Sequence, residues 1–196
     1  MKLVAVSQRV DSLPERDEVR DGLDQRLVRF LNISGFLTVP VPNIFNRVNL
    51  NVFLTRLSPD SIVLSGGNDI GEFPTRDFTE EVLLDYAELK NLPVLGICRG
   101  MQVMACRAGA KLHPVEGHVA IRHDVTGEIR REVNSYHNFS VSDCPADFHV
   151  LARSMDKNIE AIRHKHRSWE GWMWHPEREI DFSDDFQRLK LLFEDT

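Results

Sequence analysis

The sequence predicts an α/β fold: a three-layer, mainly parallel sheet flanked by helices, with antiparallel strands in the C-terminal half. Two observations carry this. Short, wholly apolar runs alternate with amphipathic stretches as far as Gly109, and short alternating segments replace them beyond it. No linker, internal repeat or low-complexity stretch divides the 196 residues, so 1–196 is expected to be one domain with one sizeable core.

Leu3 to Val6 reads as a first buried strand. Glu18 to Ser34 has helical periodicity: Val19, Leu23, Leu27, Phe30 and Leu31 share a face, and Gly35 is placed to end the helix. Phe36 to Val41 is a second strand, Leu50 to Leu57 a short helix, and Ser61 to Leu64 a third strand running into Ser65-Gly66-Gly67. In Asp77 to Lys90 the stripe Phe78, Val82, Leu83, Tyr86 and Leu89 predicts another helix. Pro93 to Ile97 is then a buried strand, and Met101, Val103, Met104 and Ala105 lie on a helix that stops at Gly109. Antiparallel strands are expected at 120–125, 128–133, 139–141, 148–152, 159–163 and 169–174, and a closing helix at 181–193.

Composition narrows the function classes. With 42% hydrophobic and 28% charged residues the chain has ordinary soluble composition, and a formal charge of −6 argues against an extended nucleic-acid footprint. Cys98, Cys106 and Cys144 form no C-x-x-C pair, which excludes a zinc ribbon or thioredoxin-like site. The N-terminal apolar run is too short for a signal peptide, and no stretch approaches the roughly 20 apolar residues of a membrane span. A reducing cytoplasm is the expected location.

Gly96-Ile97-Cys98-Arg99-Gly100 is a buried strand running straight into a helix, with a potential nucleophile at the joint. Small neighbours permit the sharp turn a nucleophile elbow needs, and the helix N-terminus favours a thiolate and offers a free N–H to an oxyanion. A thiol hydrolase also needs a base and an acceptor to orient it. In Trp174-His175-Pro176-Glu177, His175 ends an apolar strand, Pro176 breaks it, and Glu177 can reach back to the imidazole. Ser65-Gly66-Gly67 supplies backbone able to aim an N–H at a carbonyl. Singly, each has an ordinary explanation: a structural cysteine, a surface His-x-Glu, a Gly-rich turn. All three fall at carboxyl ends of strands, where ligands of such folds bind.

Gly96 to Gln102, His175-Pro176-Glu177 and Ser65-Gly66-Gly67 together resemble the class I (triad) glutamine amidotransferase superfamily. Pro93 to Gly100, Arg76-Asp77 and Asn134-Ser135-Tyr136-His137 resemble its γ-glutamyl hydrolase branch, and the likeness runs from about Val4 to Glu177. It implies a flavodoxin-like fold and a specific chemistry. Cys98 would attack the γ-carbonyl of a glutamine or γ-glutamyl amide, His175 would relay protons, and Glu177 would hold its ring. The N–H groups of Gly67 and Arg99 would form the oxyanion hole, and Gly66, Gln102, Ser135 and Tyr136 would border the glutamyl group. No cofactor or metal is implied. The partner would be a small-molecule γ-glutamyl substrate, with no nucleic-acid polymer and no membrane.

The segment from Asn68 to Thr75 is shorter than in that branch, where it often carries Tyr-Gly, which suggests a more open leaving-group side. A subgroup of this size acts in surface-polysaccharide synthesis and includes hydrolases of γ-glutamyl-CDP-amidate, which implies a nucleotide-linked substrate. The alternatives are a glutaminase subunit delivering ammonia to a separate synthetase partner, and a silent regulatory homologue, against which the intact triad speaks. His113, His118 and His123 recur every five residues, a spacing that aligns side chains on neither a regular helix nor a regular strand, so no metal site is expected. His164-Lys165-His166-Arg167 is expected to be a solvated hairpin turn facing away from Cys98. Arg99 is the better phosphate candidate. Trp169, Trp172 and Trp174 are expected to pack in the core.

Overall fold

The computed structural model describes residues 1–44 and 46–194. In chain order the elements are β1 (Lys2–Ser7), β2 (Arg9–Leu13), β3 (Glu18–Gly22), α1 (Gln25–Ile33), β4 (Phe36–Val41), α2 (Arg47–Leu57), β5 (Ser61–Leu64), α3 (Pro74–Lys90), β6 (Val94–Ile97) and α4 (Arg99–Arg107). The second half contributes β7 (Leu112–Pro114), β8 (Val119–Gly127), β9 (Arg131–Tyr136), β10 (Phe139–Val141), β11 (Phe148–Ser154), β12 (Ile159–His164), β13 (Trp169–Trp172) and α5 (Ser183–Glu194). Among these residues one nine-stranded sheet has the order β4-β1-β5-β6-β13-β12-β11-β8-β9. The strands from β4 to β13 run parallel, and those from β13 onward pair antiparallel.

Sequence explains the parallel half. Val4, Ala5, Val6, Ile62, Val63, Leu64, Val94, Leu95 and Ile97 are all buried, as strands covered on both faces require. Helices α3 and α4 pack against β1, β5, β6 and β13, with α1 against β4 and α5 against β6. β5, β6 and β13 are consecutive in the sheet and parallel, so their carboxyl ends open at one place. Trp169, Trp172 and Trp174 are buried, Trp169 at the amino end of β13 and the other two stacked with ring centroids 5.7 Å apart towards its carboxyl end. The basic tetrapeptide lies in the β12–β13 turn, at the opposite end of β13 from His175.

Three expectations are corrected. The helix expected from Glu18 begins only at Gln25, because Asp24 caps it by accepting from the Arg26 N–H at 2.9 Å. Residues 18–22 instead form β3, paired antiparallel with β2 across a turn that starts at Pro14 and ends at Asp17 with φ 51°. Val19 is therefore 71% exposed rather than core. The strand expected at 128–133 is displaced to Arg131–Tyr136, and β7 joins β10 in a small sheet that the sequence did not announce. Finally, the five-residue spacing of His118 and His123 does align. Ala120, with φ 56°, forms a β-bulge that adds one residue between Val119 and Ile121. Two residues five apart thereby face the same way.

The elbow depends on glycine at a close approach. A Cβ on Gly100 would lie 2.2 Å from the Leu64 carbonyl oxygen and 2.7 Å from its Cβ, both in a central strand that cannot shift. Gly100→Ala is expected to lower the unfolding free energy by about 3 kcal/mol in urea titrations. Gly35→Ala, which meets nothing within 4 Å and has only its φ of +89° to strain, should cost about 1 kcal/mol.

Candidate active site

Cys98 sits between the end of β6 and the first turn of α4, with φ 51° and ψ −104°. Its N–H donates to the Trp172 carbonyl at 2.7 Å, which ties the turn to β13. A non-glycine residue at positive φ is strained, and the strain is held by the packing around it. On β13's side the chain continues through Met173 and Trp174 to His175. Asn134 clamps the backbone there: its Nδ2 donates to the His175 carbonyl at 2.7 Å, and its Oδ1 accepts the His175 N–H at 3.0 Å. Pro176 then opens a single 3-10 turn, which folds Glu177 back so that Oε1 lies 2.7 Å from His175 Nδ1.

The structure thus brings Cys98, His175 and Glu177 together, all buried or nearly so. Burial pulls the imidazole pKa down, but hydrogen bonds to Cys98 and Glu177 outweigh it and raise His175 to about 9 from the usual 6.5. A raised cationic group stabilises the fold fully below its unfolded pKa, and the contribution is lost as pH rises through the folded one. Of the order of 3 kcal/mol should therefore disappear between about pH 6.5 and pH 9, for a gap this large. Urea unfolding at both ends of that window tests it; equal stabilities would show that the ring is not held protonated.

Gly66 lies against the pair: a Cβ there would fall 2.6 Å from His175 Cε1 and 3.5 Å from Cys98 Cβ. Gly67 follows at φ +85°. Behind this loop lies Arg76 of α3, completely buried, a residue type that almost never is unless paired. Its guanidinium donates to the carbonyls of Ser65 at 2.8 Å and Gly66 at 3.0 Å, and also to that of Gly67. Each peptide is planar and trans, so holding the Gly66 carbonyl on Arg76 turns the Gly67 N–H away from it. Glu80, one turn along α3, pairs with Arg76 at 3.1 Å and also with Arg99. Burial lowers Arg76 to about 10, which leaves it charged at neutral pH.

The remaining expected residues divide. Gln102 and Tyr136 border the cleft that contains Cys98. Gln102 Nε2 donates to the Phe139 carbonyl at 2.9 Å, and the Tyr136 ring stands edge-on to His175 at 5.9 Å. Ser135 does not border it: strand alternation turns the side chain inward, where its hydroxyl donates to the His118 carbonyl at 2.7 Å. Arg99 is no phosphate ligand either, because its guanidinium is buried in ion pairs with Asp77 and Glu80. Its N–H, in the first turn of α4, lacks an intrahelical acceptor. Sequence reading missed two cleft arginines. Arg9 arrives on the unforeseen β2–β3 hairpin, and Arg178 follows the His-Pro-Glu turn with its guanidinium 4.4 Å above the Tyr136 ring.

The family model described as glutamine amidotransferase class-I matches residues 19–185. The chain belongs to this family. This class I glutamine amidotransferase is a cysteine-dependent amidohydrolase. It is 34% identical over 140 residues to the γ-glutamyl-CDP-amidate hydrolase of Campylobacter jejuni, covering 68% of this chain and 69% of that one. A glutamine-hydrolysing GMP synthase subunit of Methanothrix thermoacetophila is 37% identical over 128 residues, covering 60% and 67%. Anthranilate synthase component 2 of Thermococcus kodakarensis is 32% identical over 156 residues, covering 71% and 76%. In fold the amidotransferase resembles a glutamine amidotransferase of Thermotoga maritima, with a TM-score of 0.62 at 16% identity over 99% of this chain and 83% of that one. Among the described residues, none of its helices is long and apolar enough to cross a membrane.

Proposed function

We propose that the chain hydrolyses a γ-glutamyl amide whose leaving group carries phosphate, with γ-glutamyl-CDP-amidate as the specific substrate. The observation that carries this is one cleft holding Cys98 and His175 together with the guanidinium groups of Arg9 and Arg178. The single α-carboxylate of glutamine engages at most one such group, whereas a diphosphate leaving group uses both. The relative from Campylobacter jejuni, named for that substrate, supports the reading.

Cys98 Sγ attacks the γ-carbonyl carbon, and the oxyanion is received by the N–H groups of Gly67 and Arg99. His175, its Nδ1–H directed at Glu177, gives a proton from Nε2 to the amide nitrogen as the C–N bond breaks. The amidate leaves and a γ-glutamyl thioester stays on Cys98. Water then attacks with His175 as base, releasing glutamate and the thiol. Gln102 and Tyr136 border the glutamyl end.

Mass spectrometry of the chain with γ-glutamyl-CDP-amidate and with plain glutamine tests the proposal. Free glutamate should appear rapidly from the first alone. Arg9→Gln and Arg178→Gln should each raise KM for the nucleotide compound about 10-fold or more, the scale of a lost hydrogen bond to a charged group, with glutamine turnover unchanged. The second reading is a glutaminase that feeds a synthetase, and the relatives named as glutamine-hydrolysing GMP synthase subunits favour it. It predicts fast glutamine hydrolysis once a partner is added, and no effect of the two arginine changes on it.

A further inference from the structure

A second polar cluster lies behind the cleft wall. The Ala120 bulge turns His118, which immediately precedes β8, and His123 of β8 to the same side, and His137 follows β9 with its N–H bonded to the His118 carbonyl at 3.1 Å. Into this group points Glu160 of β12, completely buried. Its carboxylate oxygens lie 3.6 Å from His118 Nδ1, 3.5 Å from His137 Nε2 and 3.7 Å from His123 Nε2. All three are longer than ordinary hydrogen bonds, and among the described residues neither oxygen has a hydrogen-bond partner of good geometry. A buried carboxylate left so is costly unless a cation compensates it.

The outer ring nitrogens fix where the protons are. His118 Nε2 lies 2.9 Å from Asp156 Oδ2, a carboxylate that also accepts from the Ser154 hydroxyl and from Asn158 Nδ2 at 2.8 Å, so this nitrogen is the donor. His137 Nδ1 lies 3.0 Å from the Phe139 carbonyl, which can only accept. In their neutral forms both rings then turn bare lone pairs inward, His118 Nδ1 and His137 Nε2, only 3.2 Å apart. One shared proton would reconcile these two nitrogens but would still leave Glu160 out of reach. A single metal ion would engage all of them.

We propose that His118 Nδ1, His123 Nε2, His137 Nε2 and Glu160 bind a zinc-class divalent ion. His118, His123 and Glu160 offer ligand atoms within 4.8 Å of one another, and His137 Nε2 lies 3.2 Å from His118 Nδ1 and 3.5 Å from a Glu160 oxygen; tetrahedral bonds of about 2.0–2.1 Å would draw such atoms to about 3.4 Å from one another. Three imidazoles and one carboxylate suit zinc over the all-oxygen preference of magnesium or calcium. Four protein ligands make it a structural site, and the Asp156–His118 and Phe139–His137 contacts are the outer hydrogen bonds that such ligands use. The ion would anchor the wall of the cleft, because the Phe139 carbonyl that orients His137 also receives Gln102.

The full chain, stripped with chelator and dialysed, is titrated with Zn²⁺ or Co²⁺ alone while bound metal, the Co²⁺ visible spectrum and the melting temperature are followed. One equivalent should bind, with intense tetrahedral Co²⁺ bands and a raised melting temperature, and Cys98→Ala should behave identically. Asp156→Asn should weaken binding about 10–100-fold, and Glu160→Gln by more. If Glu160→Gln does not fold, His123→Asn, on the more open side of the cluster, takes its place. Absence of stoichiometric binding overturns the proposal. So does binding that vanishes in Cys98→Ala but survives in Glu160→Gln, which would assign the ion to the thiol.

Discussion

Replacing Cys98 by alanine is expected to lower glutamate release by at least about 10,000-fold while the protein stays folded. The size follows from the chemistry: without sulfur no thioester forms, and only binding and the oxyanion donors remain. The same position carries a stability signature that a merely buried cysteine would not show. At φ 51° and ψ −104° the residue pays for a backbone conformation that glycine adopts freely. Cys98→Gly should therefore be as inactive as Cys98→Ala, yet more stable than it by about 1–2 kcal/mol in urea. Both variants also remove one of the two hydrogen bonds that raise His175, so the loss of stability towards pH 9 should shrink in each. Glutamate release retained in Cys98→Ala would assign the chemistry to another nucleophile. A glycine variant no more stable than the alanine one would show that the turn stores no strain.

What the sequence made legible is what local physics decides. Apolar runs in β1, β5 and β6 stand in the chain as consecutive residues, and Val82, Leu83 and Tyr86 mark the buried side of α3, whereas Leu89 of the expected stripe is 80% exposed; with parallel topology these suffice to bring Cys98 and His175 to neighbouring strand ends. The β2–β3 hairpin was not legible, because Val19 and Leu23 extend the helical stripe of Leu27, Phe30 and Leu31 by coincidence of spacing. Only Pro14 and Asp17 hinted at the turn. The His118–His123 alignment was hidden for a different reason: one bulged residue inverts the face count, and an Ala at φ 56° leaves no mark in the sequence. Arg9 reaches the site on the concealed β2–β3 hairpin, Arg178 on the turn that follows His175, and Asn134 through its side-chain clamp on His175. Asn134-Ser135-Tyr136-His137 stood out as a motif, but its use was misread: Asn134 holds His175 and Ser135 faces inward.

Arg76→Met should be the most damaging change outside the cleft itself, and it separates two jobs of one side chain. Arg76 compensates Glu80 in the interior and also holds three successive carbonyls of Ser65, Gly66 and Gly67. Removing one partner from a buried pair typically costs about 3–5 kcal/mol, because the other charge is left uncompensated. Here Arg99 still faces Glu80, so about 3 kcal/mol is expected. The second loss is in rate. With its carbonyl released, the Gly66–Gly67 peptide can rotate and carry its N–H out of position, and losing one oxyanion donor lowers kcat about 100- to 1,000-fold. Arg76→Lys distinguishes the two. An ammonium restores the charge opposite Glu80 but cannot span three carbonyls as a planar fork does. It should regain much of the stability and little of the kcat, with KM nearly unchanged. If stability and kcat recover together, Arg76 serves the core alone, and something else aims the Gly67 N–H.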